Sequence, residues 1–217
     1  MATQSTPPRV ALLAGSTGLI GRALLPLLLT SPRYVRVHAL VRRPAGDLPS
    51  SPKLQVQVVD FQSLPTLPKL DDVFIALGTT IKVAGSQAAF RQVDFDAVVN
   101  TARAARQAGA TALAVVSALG ADATSRVFYK RVKGEMQDAI ATLGFESVVI
   151  VQPSLLVGDR SALGQPVRAG EVWGARLMGW LPKSVRPIPA LRVAENMLRA
   201  LTTPRPGIQL IRSGDLH

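Results

Sequence analysis

Two side chains with helical spacing, Tyr129 and Lys133, are the first candidates for chemistry in this 217-residue chain. Residues four apart share one face of a helix, so a predicted helix over residues 126–143 places them side by side. A nearby ammonium lowers the pKa of a phenol, because the positive charge favours the phenolate. Such a tyrosine can exchange a proton with a carbonyl or an alcohol near neutral pH. The alternative interpretation is a tyrosine at the edge of the core beside a solvated lysine.

A glycine-rich segment near the start of the chain, Gly15-Ser-Thr-Gly-Leu-Ile-Gly21, predicts a binding site for a phosphate group. It follows a short apolar run, residues 10–14, and opens a predicted helix over residues 18–29. Glycines permit a tight turn close to a pyrophosphate, and the free N–H groups of the helix attract its negative charge. The strand before the motif and the helix after it are the context that a dinucleotide site requires. A plain strand-to-helix turn is the alternative.

Two arginines, Arg42 and Arg43, stand directly after the second predicted strand. At this position NAD-binding proteins usually have an acidic residue that binds the 2′-hydroxyl of the ribose. The next acidic residue here is Asp47, several residues further on in a loop with proline and glycine. Guanidinium groups can bind a 2′-phosphate, whereas a carboxylate repels it. We therefore predict NADP(H) as the cofactor; the alternative is that both arginines are simply solvated.

The composition excludes several other kinds of site. The chain has no cysteine, and therefore no disulfide, no thiolate metal ligand and no cysteine nucleophile. The chain has two histidines, His38 and His217, which are too few to favour a Ser-His-Asp triad or a histidine-based metal site, so no metal is expected. A net charge of +11 favours anionic partners without identifying them. Aromatic residues, at 5%, are too few to predict a nucleic acid surface.

The N-terminal region and the apolar runs predict a cytoplasmic protein. Residues 1–8 are polar and proline-rich, with no secretory signal, and no apolar run reaches the ~20 residues of a membrane span. Residues 168–186 combine tryptophan and leucine with basic side chains. We interpret that segment as ordinary core packing; the alternatives are a lid over a substrate pocket and an anchor on an anionic membrane surface.

The remaining chain alternates between predicted strands and helices. The strands cover residues 10–14, 35–41, 54–60, 72–77, 113–117, 147–151 and 207–211, and the other helices cover residues 86–108, 171–180 and 191–201. Strands that are apolar on both faces predict a parallel sheet covered by helices. We predict one α/β domain over residues 1–217, with a Rossmann-like doubly wound sheet of about seven strands. The cofactor-binding part spans about residues 9–152, and a small C-terminal substrate cap follows.

In combination, these motifs resemble the short-chain dehydrogenase/reductase superfamily. The resemblance rests on the glycine turn, Ser117 at the end of the fifth strand, and Tyr129 with Lys133. Further strings are similar to an atypical branch that contains the human Tat-interacting oxidoreductase-like protein and its bacterial relatives: Leu77–Thr80, Val116–Asp122, Phe128–Glu135 and Gln152–Leu156. The likeness covers about residues 9–212 and implies a protein of bacterial type.

The resemblance implies a role for each matched position. The catalytic residues would be Tyr129, Lys133 and Ser117, and Lys133 would also bond the nicotinamide ribose. The pyrophosphate of NADP(H) would be held by Gly15, Ser16, Thr17, Gly18, Leu19, Ile20 and Gly21, and the 2′-phosphate by Arg42 and Arg43. The adenine would lie beside Asp60 and Phe61, and the ribose beside Leu77, Gly78, Thr79 and Thr80. The three catalytic residues Ser117, Tyr129 and Lys133 would also contact the cofactor, and Pro153, Ser154 and Leu155 would lie at the carboxamide. Arg160 would lie near the substrate.

One departure from the superfamily affects the predicted chemistry. A second serine often follows the first at the end of the fifth strand and polarises the substrate, but here that position is Ala118. Ser117 either faces the site or only caps the strand, and Thr79 or Thr80 could supply a hydroxyl instead. The leading hypothesis is hydride transfer between NADP(H) and a small carbonyl or alcohol. The alternatives are a non-catalytic NADP(H)-binding sensor and, more weakly, a nucleotide-sugar epimerase-like enzyme. The protein is expected to be a monomer or a homodimer.

Overall fold

A parallel sheet forms the centre of the molecule, which is described here by a computed structural model over residues 7–157 and 186–216. The strands are β1 (Arg9–Ala14), β2 (Tyr34–Val41), β3 (Leu54–Val58), β4 (Asp72–Ile75), β5 (Ala112–Val116), β6 (Ser147–Gln152), β7 (Leu156–Val157), β8 (Ile188–Pro189) and β9 (Gly207–Arg212). Within these residues, seven strands make one sheet in the order β3-β2-β1-β4-β5-β6-β9, and β7 pairs with β8. The predicted Rossmann-like α/β fold is confirmed.

Helices cover both faces of the sheet. They are α1 (Leu19–Thr30), α2 (Ile81–Ala84), α3 (Gln87–Arg91), α4 (Ala97–Gln107), α5 (Phe128–Ala141) and α6 (Ala190–Thr202), with a π-helical turn at Gln92–Asp96 and a 3₁₀ turn at Ser213–Leu216. On one face α1 and α6 pack over Leu13, and on the other α4 and α5 pack over Leu12. Because neighbouring residues of β1 are both fully buried, the strand is apolar on both faces.

The strand order reverses at β1, which lies between β2 and β4. Ala14, the last residue of β1, is level with Leu40 of β2 and Ile75 of β4. In open α/β sheets of this kind, ligands bind in the crevice outside the carboxyl ends of the strands at the reversal point. The loops that follow β1, β2 and β4 therefore border the expected binding crevice.

The long helix predicted over residues 86–108 is interrupted by the π-helical turn. A π-helical turn holds one more residue than an α-helical turn, so it rotates the buried face of the helix that follows. Asp94, outside the predicted apolar stripe, is buried, whereas Val93 and Ala104 of that stripe are only partly buried. The predicted helix over residues 171–180 lies outside the described residues. None of the helices in the described ranges is long and apolar enough to cross a membrane.

A buried carboxylate joins three strands at the amino edge of the sheet. Asp72, with no exposed surface, accepts two hydrogen bonds from Arg9, at 2.6 and 3.0 Å, and one from Arg33, at 3.2 Å. The hydroxyl of Tyr34 donates a fourth, at 2.8 Å. Burial and the charge of Asp72 raise the pKa of Tyr34 far above its usual value, so this phenol stays a donor. The cluster ties the starts of β1, β2 and β4 together.

Replacing this carboxylate should destabilise the whole fold. Asp72→Asn removes the carboxylate that two partly buried arginines contact, and we expect the free energy of unfolding to fall by about 3 kcal/mol. Urea denaturation followed by circular dichroism measures this change. The matched control is Asp138→Asn on the exposed face of α5, which should change stability by less than about 0.5 kcal/mol. Equal effects of the two substitutions would contradict the role given to Asp72.

Candidate functional site

The glycine turn after β1 packs against the loop that follows β4. Gly15 has a φ of +94°, and a Cβ on it would lie 2.6 Å from the carbonyl oxygen of Ala76. A Cβ on Gly21 would collide with the carbonyl oxygen of Gly15. The N–H of Gly18 donates to that same oxygen at 3.0 Å. No side chain larger than hydrogen fits at positions 15 and 21, so glycine is required by the close contact of strand, turn and helix.

The turn has the properties of an anion site. Gly18 is the N-terminal cap of α1 and has no side chain to bond the free N–H groups of the first turn. Ser16 in the middle of the turn is fully buried, and its hydroxyl has no hydrogen-bond partner within the described part of the chain. A buried polar atom without a partner is rare, and a ligand oxygen beside the turn would satisfy it. The residues present therefore fit the pyrophosphate of a dinucleotide.

Arg42 and Arg43 lie at the open end of β2, next to the glycine turn. Both side chains are exposed, and neither forms an ion pair with any residue in the described ranges. Asp47, the carboxylate that could compete for this position, forms an ion pair with Arg22 of α1. Because Arg22 holds this carboxylate, the end of β2 presents two positive side chains to a ligand.

The pair predicted to lie near the adenine follows β3. Asp60 is exposed, and its carboxylate accepts a hydrogen bond from the N–H of Gln62 at 2.9 Å, which forms a tight turn. Phe61 is only 8% exposed and packs in the core under α4. Its carbonyl accepts a hydrogen bond from Asn100 at 3.2 Å. Of the two, only Asp60 has a side chain that solvent, and therefore a ligand, can reach.

The loop after β4 connects the glycine turn with α5. Gly15 contacts Leu77 from one side, since a Cβ on Gly15 would lie 2.9 Å from the Leu77 nitrogen. Lys133 approaches from the other side, with its Nζ 3.9 Å from a Cβ built on Gly78. Thr80 caps α2 by accepting the N–H of Val83 at 3.2 Å, so its hydroxyl has a structural role here. One short loop therefore lies between the glycine turn, which is predicted to bind phosphate, and the predicted catalytic residue Lys133.

Helix α5 lines the crevice with one polar row, Tyr129, Lys133 and Gln137, which are spaced four residues apart. The ring of Tyr129 lies on Phe90, with 5.4 Å between ring centroids. A Cβ on Gly134 would collide with the backbone of Ala123, so glycine lets the helix approach the loop after β5. This contact sets how close the polar row lies to the strand ends.

Lys133 has a buried partner that the sequence interpretation did not include. Its ammonium lies 2.8 Å from the Asp94 carboxylate, and both side chains are under 5% exposed. The other carboxylate oxygen accepts the N–H of Thr79 at 2.8 Å. Burial raises the pKa of Asp94 above its usual value, and the Lys133 charge and the Thr79 hydrogen bond offset this rise only in part. No sequence signal distinguishes Asp94, because the predicted helix over residues 86–108 carries other charged residues, including Asp96.

Ser117 is held by α5. It is 4% exposed, and its hydroxyl accepts a hydrogen bond from the Gln137 side chain at 2.5 Å. Gln152 at the end of β6 in turn donates to Gln137 at 3.3 Å. Ala118 next to it is also buried. Ser117 therefore belongs to a small amide network one turn beyond Lys133.

The segment after β6 lies beside the segment that follows β5. Pro153 is buried, and its carbonyl accepts the N–H of Leu119 at 3.0 Å. Ser154 donates its hydroxyl proton to the carbonyl of Arg186 at 2.5 Å, while Leu155 is exposed. Arg160, predicted to lie near the substrate, is outside the described residues, as is the cluster of residues 168–185.

Curated proteins similar to this chain come from fungi. The protein named "fmp52, mitochondrial" from Emericella nidulans is 32% identical over 182 residues, which are 80% of this chain and 78% of that protein. The protein of the same name from Candida albicans is 31% identical over 196 residues, 83% of this chain and 82% of its own length. These identities show that the chain and the fungal proteins belong to one family. Membership of the narrower Tat-interacting branch stays a prediction.

The same relatives contradict two expectations. The chain was expected to be cytoplasmic and of bacterial type, but these relatives are fungal and named as mitochondrial, so those predictions are wrong. The location was inferred from the lack of a secretory signal. That evidence does not bear on mitochondria, because import there uses a different, arginine-rich amphipathic signal.

Solved structures share the fold at low identity. The oxidoreductase ylbE from Lactococcus lactis has a TM-score of 0.65 at 17% identity and covers 95% of this chain and 94% of its own. A UDP-N-acetylglucosamine 4-epimerase from Methanobrevibacter ruminantium has a TM-score of 0.71 at 15% identity, covering 95% and 77%. Oxidoreductases and epimerases therefore share this fold, which does not separate them. A family model described as NAD(P)H-binding matches residues 15–204, and this chain belongs to that family.

Proposed function

We propose that this protein is an NADP(H)-dependent oxidoreductase that transfers a hydride between the nicotinamide and a small carbonyl or alcohol substrate. The observation that carries the proposal is the position of the loop after β4. It contacts Gly15 of the anion-binding turn on one side and lies beside Lys133 on the other. A single cofactor in this crevice can therefore reach both the phosphate-binding and the proton-transferring groups.

The preference for NADP(H) is supported by the charges at the end of β2. Arg42 and Arg43 are exposed and have no ion-pair partner among the described residues, so they are available to bind a 2′-phosphate. Asp47, which could bind a ribose 2′-hydroxyl in NAD(H), is paired with Arg22. The glycine turn would hold the pyrophosphate, and the unpartnered hydroxyl of Ser16 would take part in that contact.

The chain's own groups suit the transfer of a proton. When bound, NADP(H) supplies the hydride donor or acceptor. Tyr129 would give or take the proton at the substrate oxygen, with Lys133 one helical turn away on the same face of α5. The contact with Phe90 holds the ring of Tyr129 in place. Substrate binding and the exclusion of water would come from the C-terminal cap.

A second candidate, an NADP(H)-binding module without turnover, is favoured by one observation. The hydroxyl of Ser117 already accepts a hydrogen bond from Gln137 at 2.5 Å, and residue 118 is alanine. Accepting this bond leaves the O–H proton of Ser117 free to donate, but the residue is only 4% exposed, so a substrate carbonyl has little access to it. The two candidates predict the same cofactor and differ only in whether any carbonyl compound oxidises NADPH.

The cofactor preference depends on the two arginines. Replacing both Arg42 and Arg43 by alanine should weaken NADPH binding about 30-fold, because hydrogen bonds to a charged phosphate contribute about 2 kcal/mol. NADH has no 2′-phosphate, so its affinity should change by less than about threefold. Fluorescence titration with both cofactors measures the two dissociation constants.

A variant with the same loss of charge is the control for this comparison. Lys69 and Arg103 are exposed and outside the crevice, and replacing both by alanine removes two positive charges as well. NADPH affinity in this variant should stay within about threefold of the original. If the two double variants weaken NADPH equally, or NADH binds the unaltered protein more tightly than NADPH, the assignment of the arginines fails.

Catalysis depends on the phenol of Tyr129. Tyr129→Phe keeps the ring against Phe90 but removes the proton, so NADPH oxidation with a responsive carbonyl substrate should slow about 1000-fold. NADPH affinity in the same variant should change by less than about threefold. A panel of aldehydes and ketones, followed by NADPH absorbance, provides the rates. Full activity in the variant would exclude this role, and no oxidation with any substrate would favour the non-catalytic module.

A further inference from the structure

Asp94 is a buried acidic residue that none of the predicted motifs contains. It is 1% exposed, and its carboxylate lies 2.8 Å from the ammonium of Lys133. The cost of burying an isolated charge is high, so a buried ammonium needs a partner of opposite charge nearby. In the described part of the chain, the carboxylate of Asp94 is the acidic group within ion-pair distance of Lys133.

The local backbone directs Asp94 towards the crevice. Asp94 lies in the π-helical turn Gln92–Asp96, which changes the register between α3 and α4. Its Oδ2 accepts the N–H of Thr79 at 2.8 Å, and a Cβ on Gly78 would lie 3.4 Å from its Oδ1. The carboxylate thus contacts both α5, through Lys133, and the loop after β4. π-Helical turns of this kind occur often at functional sites.

We propose that Asp94 is the positioning residue for Lys133, holding its ammonium beside the loop after β4 before any cofactor binds. This inference rests on the proposed function, in which Lys133 acts in the cofactor site. Tyr129 is on the same helix as Lys133, so it moves with the helix and cannot set the lysine's distance from that loop. Asp94 is on a different element and is hydrogen-bonded to the loop itself.

The rate at which the Lys133 amine reacts with an acylating reagent gives a direct test that needs no cofactor. In the unaltered protein a pulse of N-hydroxysuccinimidyl acetate, read by peptide mass spectrometry, should modify Lys133 at least about tenfold more slowly than the exposed Lys130. Asp94→Asn removes the counter-charge and keeps the size of the side chain. Lys133 is then no longer held in this contact, so its labelling should accelerate about tenfold relative to Lys130.

The matched control is Asp96→Asn. Asp96 lies in the same π-helical turn, is only partly buried and forms no ion pair with any described residue. Its replacement should leave the labelling ratio of Lys133 to Lys130 unchanged. The proposal is overturned if Asp94→Asn leaves the ratio as it was, or if Asp96→Asn changes it as much.

A second variant keeps the test decisive if Asp94→Asn does not fold. Combining it with Lys133→Met removes both charges, which should restore folding, because no buried charge is then left without a partner. If the double variant is also unfolded, Asp94 acts through something other than Lys133, and the proposal is wrong. Circular dichroism and thermal denaturation distinguish these results.

A cofactor titration separates this inference from the proposed function. NADPH affinity should fall about tenfold in Asp94→Asn and by less than about twofold in Asp96→Asn, since only the first displaces Lys133. Equal NADPH affinity in the two variants would overturn the link from Asp94 to the cofactor site. If the unaltered protein binds no NADPH, the proposed function fails, and the labelling ratio still decides whether Asp94 positions Lys133.

Discussion

The close contact of the turn after β1 with the loop after β4 is the constraint on which the site depends. Gly15 brings its backbone against Ala76 in a conformation with positive φ, and only glycine fits there. This contact sets the start of α1 beside the ends of two strands. Arg42 and Arg43 follow β2 and Ser117 follows β5, the two strands that pair with β1 and β4. The chemistry therefore depends on a backbone contact that no side chain supplies.

Among the described residues two carboxylates are buried, Asp72 and Asp94, and they lie at opposite edges of the sheet. Asp72 at the amino edge accepts four hydrogen bonds from three side chains, two of them arginines. Asp94 at the carboxyl edge has one ammonium and one backbone N–H. A carboxylate with four donors is fully compensated, whereas one with two donors stays sensitive to any change in its partners. This difference is consistent with a structural role for Asp72 and a role for Asp94 in the site.

The sequence predicts best those elements that are identified by neighbouring residues alone. The predicted strand over residues 10–14 is observed as Arg9–Ala14, because an apolar run that ends in glycine identifies a buried strand without reference to the remaining chain. The buried face of α4 was less predictable. The π-helical turn rotates it, and that turn accompanies a contact between Asp94 and Lys133, which are far apart in the chain. Periodicity assumes one helical repeat throughout, so it cannot indicate such a change.

The surplus of positive charge cannot by itself determine which ligand binds. A net charge of +11 creates a field that favours any anion, and salt screens that field beyond roughly 10 Å. Selectivity must come from cations whose charge is not already compensated near the site. Arg22 forms an ion pair with Asp47, and Lys133 forms one with Asp94. These pairs leave Arg42 and Arg43 as exposed cations beside the glycine turn, where the 2′-phosphate of NADP(H) would bind under the proposed function.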